Sequence, residues 1–439
     1  MKKSIITTIL LLNNILFAQN YALIIGVPSG FAPNSGIELD INKIKNLLNG
    51  FDYQIKELID PRPKDVIGVL EDYSKKLSKN DNFIFYYSGH GAQIPDINGD
   101  ERDKKDEVLC LRERVKGEID RGDFSSFFID DKLYILLSKI NSHKFIFFDS
   151  CHSGTAFKSN SKYISKSLGY YPQYKPSNII EKQPIPIKER EESASLLFFG
   201  AAQDGTSAKA TQDGSMFTTS IIKALTSNKG DLNGDGKITF KELLKFTSNN
   251  IRILCDNNPN IIFTPQMHSE AFDLDSNVIE TLTSKSILEY RLDKLLKDGV
   301  AKPLEVTSKM IYRDGEDIKF HINTKSNQGY LYIIYINNKE YTLLYPNRYT
   351  TKSQKIKGDI LFPNQSYGNF NLTAMPPYGK TVVFTIISKK PLNLYNQGID
   401  GIFNIFKRDT KESVRFLRGI GVTSSPDILI AKTIFKVVP

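Results

Sequence analysis

Between residues 21 and 274 the chain alternates short apolar runs with stretches in which apolar side chains recur at spacings of three and four. The runs are Tyr21–Val27, Asn82–Tyr87, Lys144–Phe148 and Ser195–Ala202. Each is rich in β-branched or aromatic residues and lacks strict alternation, the pattern of a strand buried on both faces of a parallel sheet. The spacing within Ile37–Leu48, Val66–Leu77 and Lys132–Ile140 predicts helices. Strand and helix in turn predict an α/β layered domain around a mostly parallel sheet. Residues 158–194 interrupt the pattern: they are rich in Ser, Lys, Tyr and Pro and have no sustained period. So long an irregular stretch is either functional or disordered, and with no apolar face to bury, its backbone is expected to be exposed.

A helical stretch near 284–299 closes this region, and from about 304 the pattern changes to alternation broken by turn residues. Asp317–Asn323, Tyr330–Ile336, Tyr341–Tyr345, Thr381–Ser388 and Ile428–Val438 read as strands, with Asn337-Asn338 as a turn. These predict a C-terminal all-β, sandwich-like domain. The expected division is an α/β domain over 20–275, a helical connector over 276–303 and a β-rich domain over 304–439.

Composition narrows the class. The chain has 439 residues, 40% hydrophobic and 24% charged, which excludes disorder as the dominant state and supplies ample material for a core. Three cysteines exclude a disulfide scaffold. The net charge of +9 is unevenly placed: residues 1–304 carry 39 basic and 39 acidic side chains, residues 305–439 carry 19 and 10. A basic tail suggests acidic partners, and a lysine-biased composition explains it equally well. No arginine-rich run or RNA-binding aromatic motif supports nucleic acid, so none is expected. Lys2 and Lys3, the mostly apolar Ser4–Phe17 and the small Ala18 read as a secretory signal over 1–18. The run is shorter than the ~20 residues a membrane span needs, so the expected location is the periplasm or outside, with no stable span once the leader is removed. Cys110 and Cys255 are expected to be two buried thiols.

Two apolar runs end in residues able to do chemistry. Phe83–Tyr87 leads into Ser88-Gly89-His90-Gly91, and Phe145–Phe148 leads into Asp149-Ser150-Cys151-His152-Ser153-Gly154. In a parallel sheet the carboxyl ends of the strands share one edge, where ligands sit. If the two strands are neighbours, His90 and Cys151 face one crevice. There the imidazole can generate the thiolate nucleophile or protonate a leaving amine. Gly91 lets its backbone N–H approach a substrate carbonyl closely and, with the N–H of Cys151, form an oxyanion hole. His152 is the rival base, but neighbouring side chains at a strand terminus tend to point apart.

The segments S-G-H-G at 88–91 and D-S-C-H-S-G at 149–154 resemble the catalytic signatures of the caspase-like cysteine peptidases, with the bacterial and metacaspase branch fitting best. The likeness continues in Gly36 and Asp40, in D-x-N-G-D-E at 96–101, in Asp106-Glu107, in Asp130-Asp131, in A-A-Q-D-G-T-S-A at 201–208 and in G-S-M-F-T at 214–218. It implies a caspase-like three-layer sandwich, a Cys–His dyad endopeptidase acting on protein or peptide, and residues 158–194 as the linker between large and small parts. In metacaspases the residues matching Asp40 and Asp149 line a pocket that accepts Arg or Lys, so the resemblance assigns these two to substrate binding. Paired carboxylates are what a buried guanidinium or ammonium requires. A degenerate, non-catalytic scaffold used for binding or adhesion is the alternative. The region after 304 resembles a β-rich domain of unknown function that often trails bacterial caspase-like domains.

Two segments invite calcium. Asp231, Asn233, Asp235, Gly236, Lys237 (by its carbonyl), Thr239 and Glu242 stand at the ligand and turn positions of a twelve-residue calcium loop. The same residues also make a turn capped by Thr239 and Glu242 without metal. The resemblance adds a second candidate, the regulatory site at Asp130 and Asp131. Lys158, however, stands where the family has an aspartate, and a cation there repels calcium. The acidic loop 96–107 mimics a calcium loop too, but has Glu101 where glycine is wanted.

Overall fold

A computed structural model describes residues 19–29, 36–99, 101, 103–111, 123–150, 164–174, 195–202, 208–227, 229–235, 237–258, 262–283, 287–297, 299, 301–336, 340–364, 366–367, 370–376, 378–392, 394, 404–407 and 428–439. The leader 1–18, Cys151, His152, Lys158, Gly236 and the turn Asn337-Asn338 lie outside the described residues, as does most of 158–194.

In chain order the first domain contains β1 (Asn20–Gly26), α1 (Ile37–Gly50), β2 (Gln54–Ile59), α2 (Pro63–Lys76), β3 (Asn82–Ser88), β4 (Gly91–Pro95), β5 (Lys105–Cys110), β6 (Phe127–Ile129), α3 (Asp130–Ser138) and β7 (His143–Asp149). It continues with β8 (Ile164–Ser165), β9 (Ser167–Tyr170), β10 (Leu196–Gly200), β11 (Lys209–Thr211), β12 (Gly214–Ser215), α4 (Met216–Thr226), α5 (Phe240–Leu254), β13 (Gln266–Glu270) and α6 (Val278–Thr283). The central sheet runs β13-β10-β7-β3-β1-β2, parallel except for β13.

The apolar runs form its inner strands because both of their faces are covered. Ala22, Ile24, Ile84, Tyr86, Phe145 and Phe147 pack in one core with residues of α1, α4, α5 and α6. Leu23, Ile25, Phe83, Phe85, Ile146 and Phe148 pack in a second with α2 and α3. The three-layer α/β arrangement is therefore as expected. A small antiparallel sheet β12-β11-β8 and a four-stranded sheet β6-β5-β4-β9 flank the strand ends. Cys110 and Cys255 are free and buried, as expected, and burial pushes both thiols up, Cys255 to about 11. Such thiols are poor nucleophiles.

The second domain follows α7 (Ile287–Lys297) and comprises β14 (Lys302–Pro303), β15 (Glu305–Thr307), β16 (Ile311–Arg313), β17 (Phe320–Ile336), β18 (Glu340–Tyr345), β19 (Lys355–Phe362), β20 (Gly379–Ser388), β21 (Asn404–Lys407) and β22 (Ile428–Val438). Its strands hydrogen bond into one nine-stranded sheet. The runs at 317–323 and 330–336 prove to be mostly one long strand, β17, with an irregularity between Asn323 and Gln328. The two helices expected as one connector part company. Val278, Ile279 and Leu282 of α6 belong to the first domain's core. Leu288 and Leu292 of α7 instead pack with Ile334, Phe384, Ile386 and Ile430 of the β-sheet. Lys432 of β22 binds both Asp293 (2.8 Å) and Glu289 (3.0 Å) of that helix. Among the described residues no helix is long and apolar enough to cross a membrane.

Candidate active site

β3 and β7 are neighbours, with Ser88 paired to Asp149 at their carboxyl ends. His90 thus stands two residues beyond a paired position at that edge of the sheet, and Cys151, which follows Asp149 by two residues in sequence, lies outside the described residues. The turn that presents His90 is tightly tied. Tyr87 donates its hydroxyl to the carbonyls of His90 (2.7 Å) and Cys110 (2.9 Å). The Cys110 N–H also donates to the His90 carbonyl at 3.0 Å. A Cβ on Gly89 would lie 2.4 Å from the Tyr87 hydroxyl, so this close approach needs glycine. His90 is buried, and Gly91 begins β4 directly after it. Of the other histidines, His143 opens β7 at the opposite end of the strand, where its Nδ1 meets Ser195 Oγ at 2.6 Å.

Beside this turn lies a buried acidic pocket. Asp40 comes from the first turn of α1 and Asp149 from the end of β7, and both are fully buried. Asp149 accepts from Ser215 Oγ (2.7 Å) and Thr218 Oγ1 (2.6 Å) at the start of α4. Asp40 accepts from the Ser215 N–H at 2.8 Å and from Ser88 Oγ at 3.4 Å. Gly214 has φ +107°, and a Cβ there would sit 2.5 Å from Asp40 Oδ1. Burial, opposed by Lys166 and reinforced by Asp149, lifts the Asp40 carboxyl to about 7. The two positions assigned to substrate binding from sequence therefore share one pocket. Ser88, Ser215 and Thr218 complete it; nothing local marks these small polar residues as pocket residues.

The pocket is filled by the chain itself. The Lys166 ammonium is wholly buried, 2.9 Å from Asp149 Oδ1 and 3.5 Å from Asp40 Oδ2. It also donates to Ser88 Oγ at 2.9 Å and to the Asp149 carbonyl at 3.2 Å. The backbone around it is ordered by strand pairing. Ile164 and Ser165 pair antiparallel with Ala210 and Lys209, the Lys166 N–H donates to the Ala208 carbonyl at 3.3 Å, and Gly91 N–H donates to the Lys166 carbonyl at 2.9 Å. Ser167 then pairs with Gly91 in β9. This corrects the expectation of an exposed, irregular stretch over 158–194: its described part, residues 164–174, is built into two sheets, with Lys166 and Ser167 buried. The cause is non-local, since the open edges of β4 and β11 supply backbone partners and the aspartates supply the charge.

The calcium candidates differ in geometry. In the 231–242 loop, Asp231 accepts from the Gly234 N–H, Asn233 from the Asp235 N–H and Asp235 from the Lys237 N–H, each at 2.8 Å. Both carboxylate oxygens of Glu242 are engaged, one by the N–H groups of Leu232 and Asn233, the other by Thr239 N and Oγ1. Thr239 caps α5 in return. The capped turn thus accounts for every one of these residues without a cation. Elsewhere, Glu101, Glu107 and Asp130 bring one carboxylate oxygen each within 4.8 Å of one another. Burial, then Glu107, Asp131 and Asp106, raise the Asp130 carboxyl well above the ordinary carboxylate range. Asp131 lies beside them and accepts from Asn98 Nδ2 at 2.5 Å. A cavity of about 440 Å³ opens at this cluster, with Leu133, Ile146 and Phe148 among its walls. The sequence did not show that Glu101, which precedes β5, and Glu107, within it, converge on Asp130 of α3, because the fold alone brings them together.

A parallel sheet with a histidine turn and a buried acidic pocket at adjoining strand ends defines a caspase-like α/β domain, here followed by a β-rich sheet domain. The caspase domain family matches residues 19–271, more than half of the chain, and the chain belongs to that family. A domain of unknown function, DUF4384, matches residues 311–391. Among curated proteins the chain is similar to metacaspase-1A of Aspergillus terreus and metacaspase-1 of Emericella nidulans, each 31% identical over 154 residues, covering 31% of this chain and 36% of the relative. The chain thus spans about a third of the length of these relatives. Among solved structures it is similar to a Geobacter sulfurreducens protein (22% identity, TM-score 0.42, 60% of this chain and 98% of that one). Caspase-1 of Spodoptera frugiperda is a further match (12% identity, TM-score 0.36, 57% and 86%).

Proposed function

We propose that the protein is an exported cysteine endopeptidase that cuts after Arg or Lys. Membership of a peptidase family supports the class, and a protein or peptide substrate follows from it. The observation that carries the finer reading is the buried Asp40–Asp149 pair closed on an amine, directly beside the His90–Gly91 turn. In this reading Cys151 attacks the carbonyl carbon of the residue whose side chain fills that pocket. His90 takes the thiol proton and returns it to the leaving amine, and the Gly91 N–H steadies the oxyanion. Water then hydrolyses the thioester. The test is purified mature protein against peptides with Arg, Lys, Asp, Asn or Ala before the cleavable bond. Preference for Asp would overturn the assignment. Export rests on the leader alone and is tested by sequencing the mature N-terminus from fractionated cells.

The closed pocket favours one second reading, a non-catalytic binding scaffold whose pocket is permanently neutralised by Lys166. Hydrolysis of any peptide in the panel excludes it.

For calcium the proposed site is Glu101, Glu107 and Asp130, with Asp131 beside them, because a hard cation demands several converging oxygens. Burial and like charge push the Asp130 carboxyl up, so a cation that favours its ionised form competes with the proton there and binding is linked to proton release. Calorimetry at pH 7 in two buffers of different ionisation enthalpy is expected to show that release, and binding that strengthens as pH rises. Glu107→Gln is expected to weaken binding by at least about tenfold, whereas Glu242→Gln leaves it unchanged and lowers stability by ~1 kcal/mol through the lost helix cap. Binding abolished by Glu242→Gln and not by Glu107→Gln would move the site to the 231–242 loop.

A further inference from the structure

We infer that Tyr87 is a positioning residue of the peptidase: its hydroxyl locks the plane of the His90–Gly91 peptide and so aims the Gly91 N–H at the oxyanion. The inference rests on the peptidase reading above and adds to it the group that orients the oxyanion donor. The carbonyl of His90 and the N–H of Gly91 belong to one peptide unit, which is trans. Trans geometry sets the two groups in one plane, pointing opposite ways, so whatever holds the carbonyl aims the N–H.

Two donors hold that carbonyl. The Tyr87 hydroxyl reaches it at 2.7 Å and the Cys110 N–H at 3.0 Å. The same hydroxyl lies 2.9 Å from the Cys110 carbonyl, so it also ties the turn to β5. The tyrosine is fully buried, and its ring stands edge-on to Phe148 with centroids 6.5 Å apart. Burial lifts the hydroxyl well above its ordinary pKa, so it remains a donor at neutral pH. On the other side of the peptide, the Gly91 N–H holds a carbonyl oxygen, that of Lys166, at 2.9 Å. That distance lies inside the ~2.7–3.1 Å an oxyanion donor needs.

A lock is needed here because the plane is otherwise easy to turn. Gly91 accepts either sign of φ at little cost, so the peptide can rotate and carry the N–H away. Misplacing a stabilising group by ~1 Å costs on the order of 10²-fold in rate. A buried tyrosine hydroxyl needs some acceptor. This one takes the carbonyl whose own peptide carries the oxyanion donor, three residues along the chain. The neighbouring Tyr86 supplies the contrast. Successive side chains of a strand face opposite ways, and the Tyr86 hydroxyl meets Thr218 Oγ1 at 2.7 Å, which in turn donates to Asp149 at 2.6 Å. Tyr86 thus supports the acidic pocket, and Tyr87 the oxyanion donor.

The experiment compares full-length wild type, Tyr87→Phe, Gly89→Ala and Tyr86→Phe on an Arg peptide. Rates are expressed per active site titrated with an irreversible inhibitor, so that unfolded protein does not count. Gly89→Ala keeps the tyrosine but displaces its hydroxyl, because a Cβ at that position would collide with it. Tyr87→Phe and Gly89→Ala are each expected to lower kcat by about 10- to 100-fold with KM nearly unchanged, less than the ~10²–10³-fold for outright loss of a donor. Affinity for a peptidyl-arginine aldehyde, whose adduct with the thiol places an oxygen on the same N–H, is expected to fall by the same factor. Affinity for agmatine, which only fills the pocket, holds. In Tyr87→Phe the acid limb of the kcat/KM pH profile keeps its position, since the imidazole is untouched. Tyr86→Phe is expected instead to raise KM more than it lowers kcat. Unchanged kcat in both Tyr87→Phe and Gly89→Ala overturns the inference. So does an equal loss of aldehyde and agmatine affinity, a shifted acid limb, or the same fall of kcat in Tyr86→Phe. Each of these outcomes leaves the peptidase reading standing. Failure of wild type to hydrolyse any peptide sinks that reading, and this inference with it.

Discussion

Replacing His90 by alanine is expected to lower turnover of an Arg peptide by about 10²–10⁴-fold, the usual worth of a positioned acid–base. Cys151→Ala is expected to remove turnover altogether, while His152→Ala retains substantial activity. The argument is positional. His90 follows β3, which pairs with β7, and its backbone is pinned by Tyr87 and Cys110, so the ring is presented from a fixed turn at the strand edge. His143 opens β7 at the other end of the strand, out of reach of that edge. His268 lies on the antiparallel strand β13 and His321 in the β-rich domain. Near-normal kcat for His90→Ala, in a protein whose thermal melt matches wild type, would reassign the base.

Asp149→Asn is expected to lower kcat/KM for Arg and Lys peptides by about 10²–10³-fold, as removal of one partner of a desolvated charge pair costs ~2–5 kcal/mol. Asp149 accepts hydroxyl hydrogens from Ser215 and Thr218 as well as the Lys166 ammonium. An amide is nearly the same shape but turns one acceptor edge into a donor, setting N–H against one of those donors and removing the charge. Asp40→Asn is expected to cost less, since its oxygen is 3.5 Å from the ammonium, and its cost depends on pH. With its pKa lifted to about 7, chiefly by burial, Asp40 is neutral well below that value and ionised above it. Its contribution to binding a cationic side chain therefore grows as pH rises. The ratio of wild-type to Asp40→Asn kcat/KM should be near one at pH 6 and widen by pH 8.5. A flat ratio, or Asp149→Asn with unchanged Arg preference, would take the specificity pocket away from these residues.

The inner strands of the first domain were legible because burial on both faces leaves an unbroken apolar run, and the switch to Ser88 and Asp149 marks where each strand leaves the core. β2 was not: an edge strand reading Gln54–Ile59, half exposed, carries no such signature. Helix α1 was legible from its spacing, and the burial of Asp40 only from the family likeness, because an acidic residue early in a helix ordinarily faces water and favours the dipole. The segment holding Lys166 was unreadable for a different reason. Its strands exist through partners far along the chain, Gly91 on one side and Ala208–Ala210 on the other, and its own Ser- and Lys-rich composition resembles any surface loop. The acidic loop 96–107 was noticed for its likeness to a calcium loop, but the convergence of its Glu101 and Glu107 on Asp130 was hidden on the same ground. In the second domain, alternation located β18, β20 and β22 but could not show that β17 runs on through its irregular middle.

The division of the two helices between two cores has a practical consequence for anyone who wishes to produce the halves separately. Helix α7 presses Leu288 and Leu292 onto the β-sheet and supplies both carboxylates for Lys432, so it is a part of the second half even though it looks like a hinge in the sequence. A gene fragment started at residue 304 would strip one face of that sheet and leave its apolar surface open to self-association. One started just after Thr283, ahead of Ile287, keeps the helix as a built-in cover. The longer fragment is expected to run as a soluble species on size-exclusion chromatography, and the shorter one to be recovered mainly as aggregate.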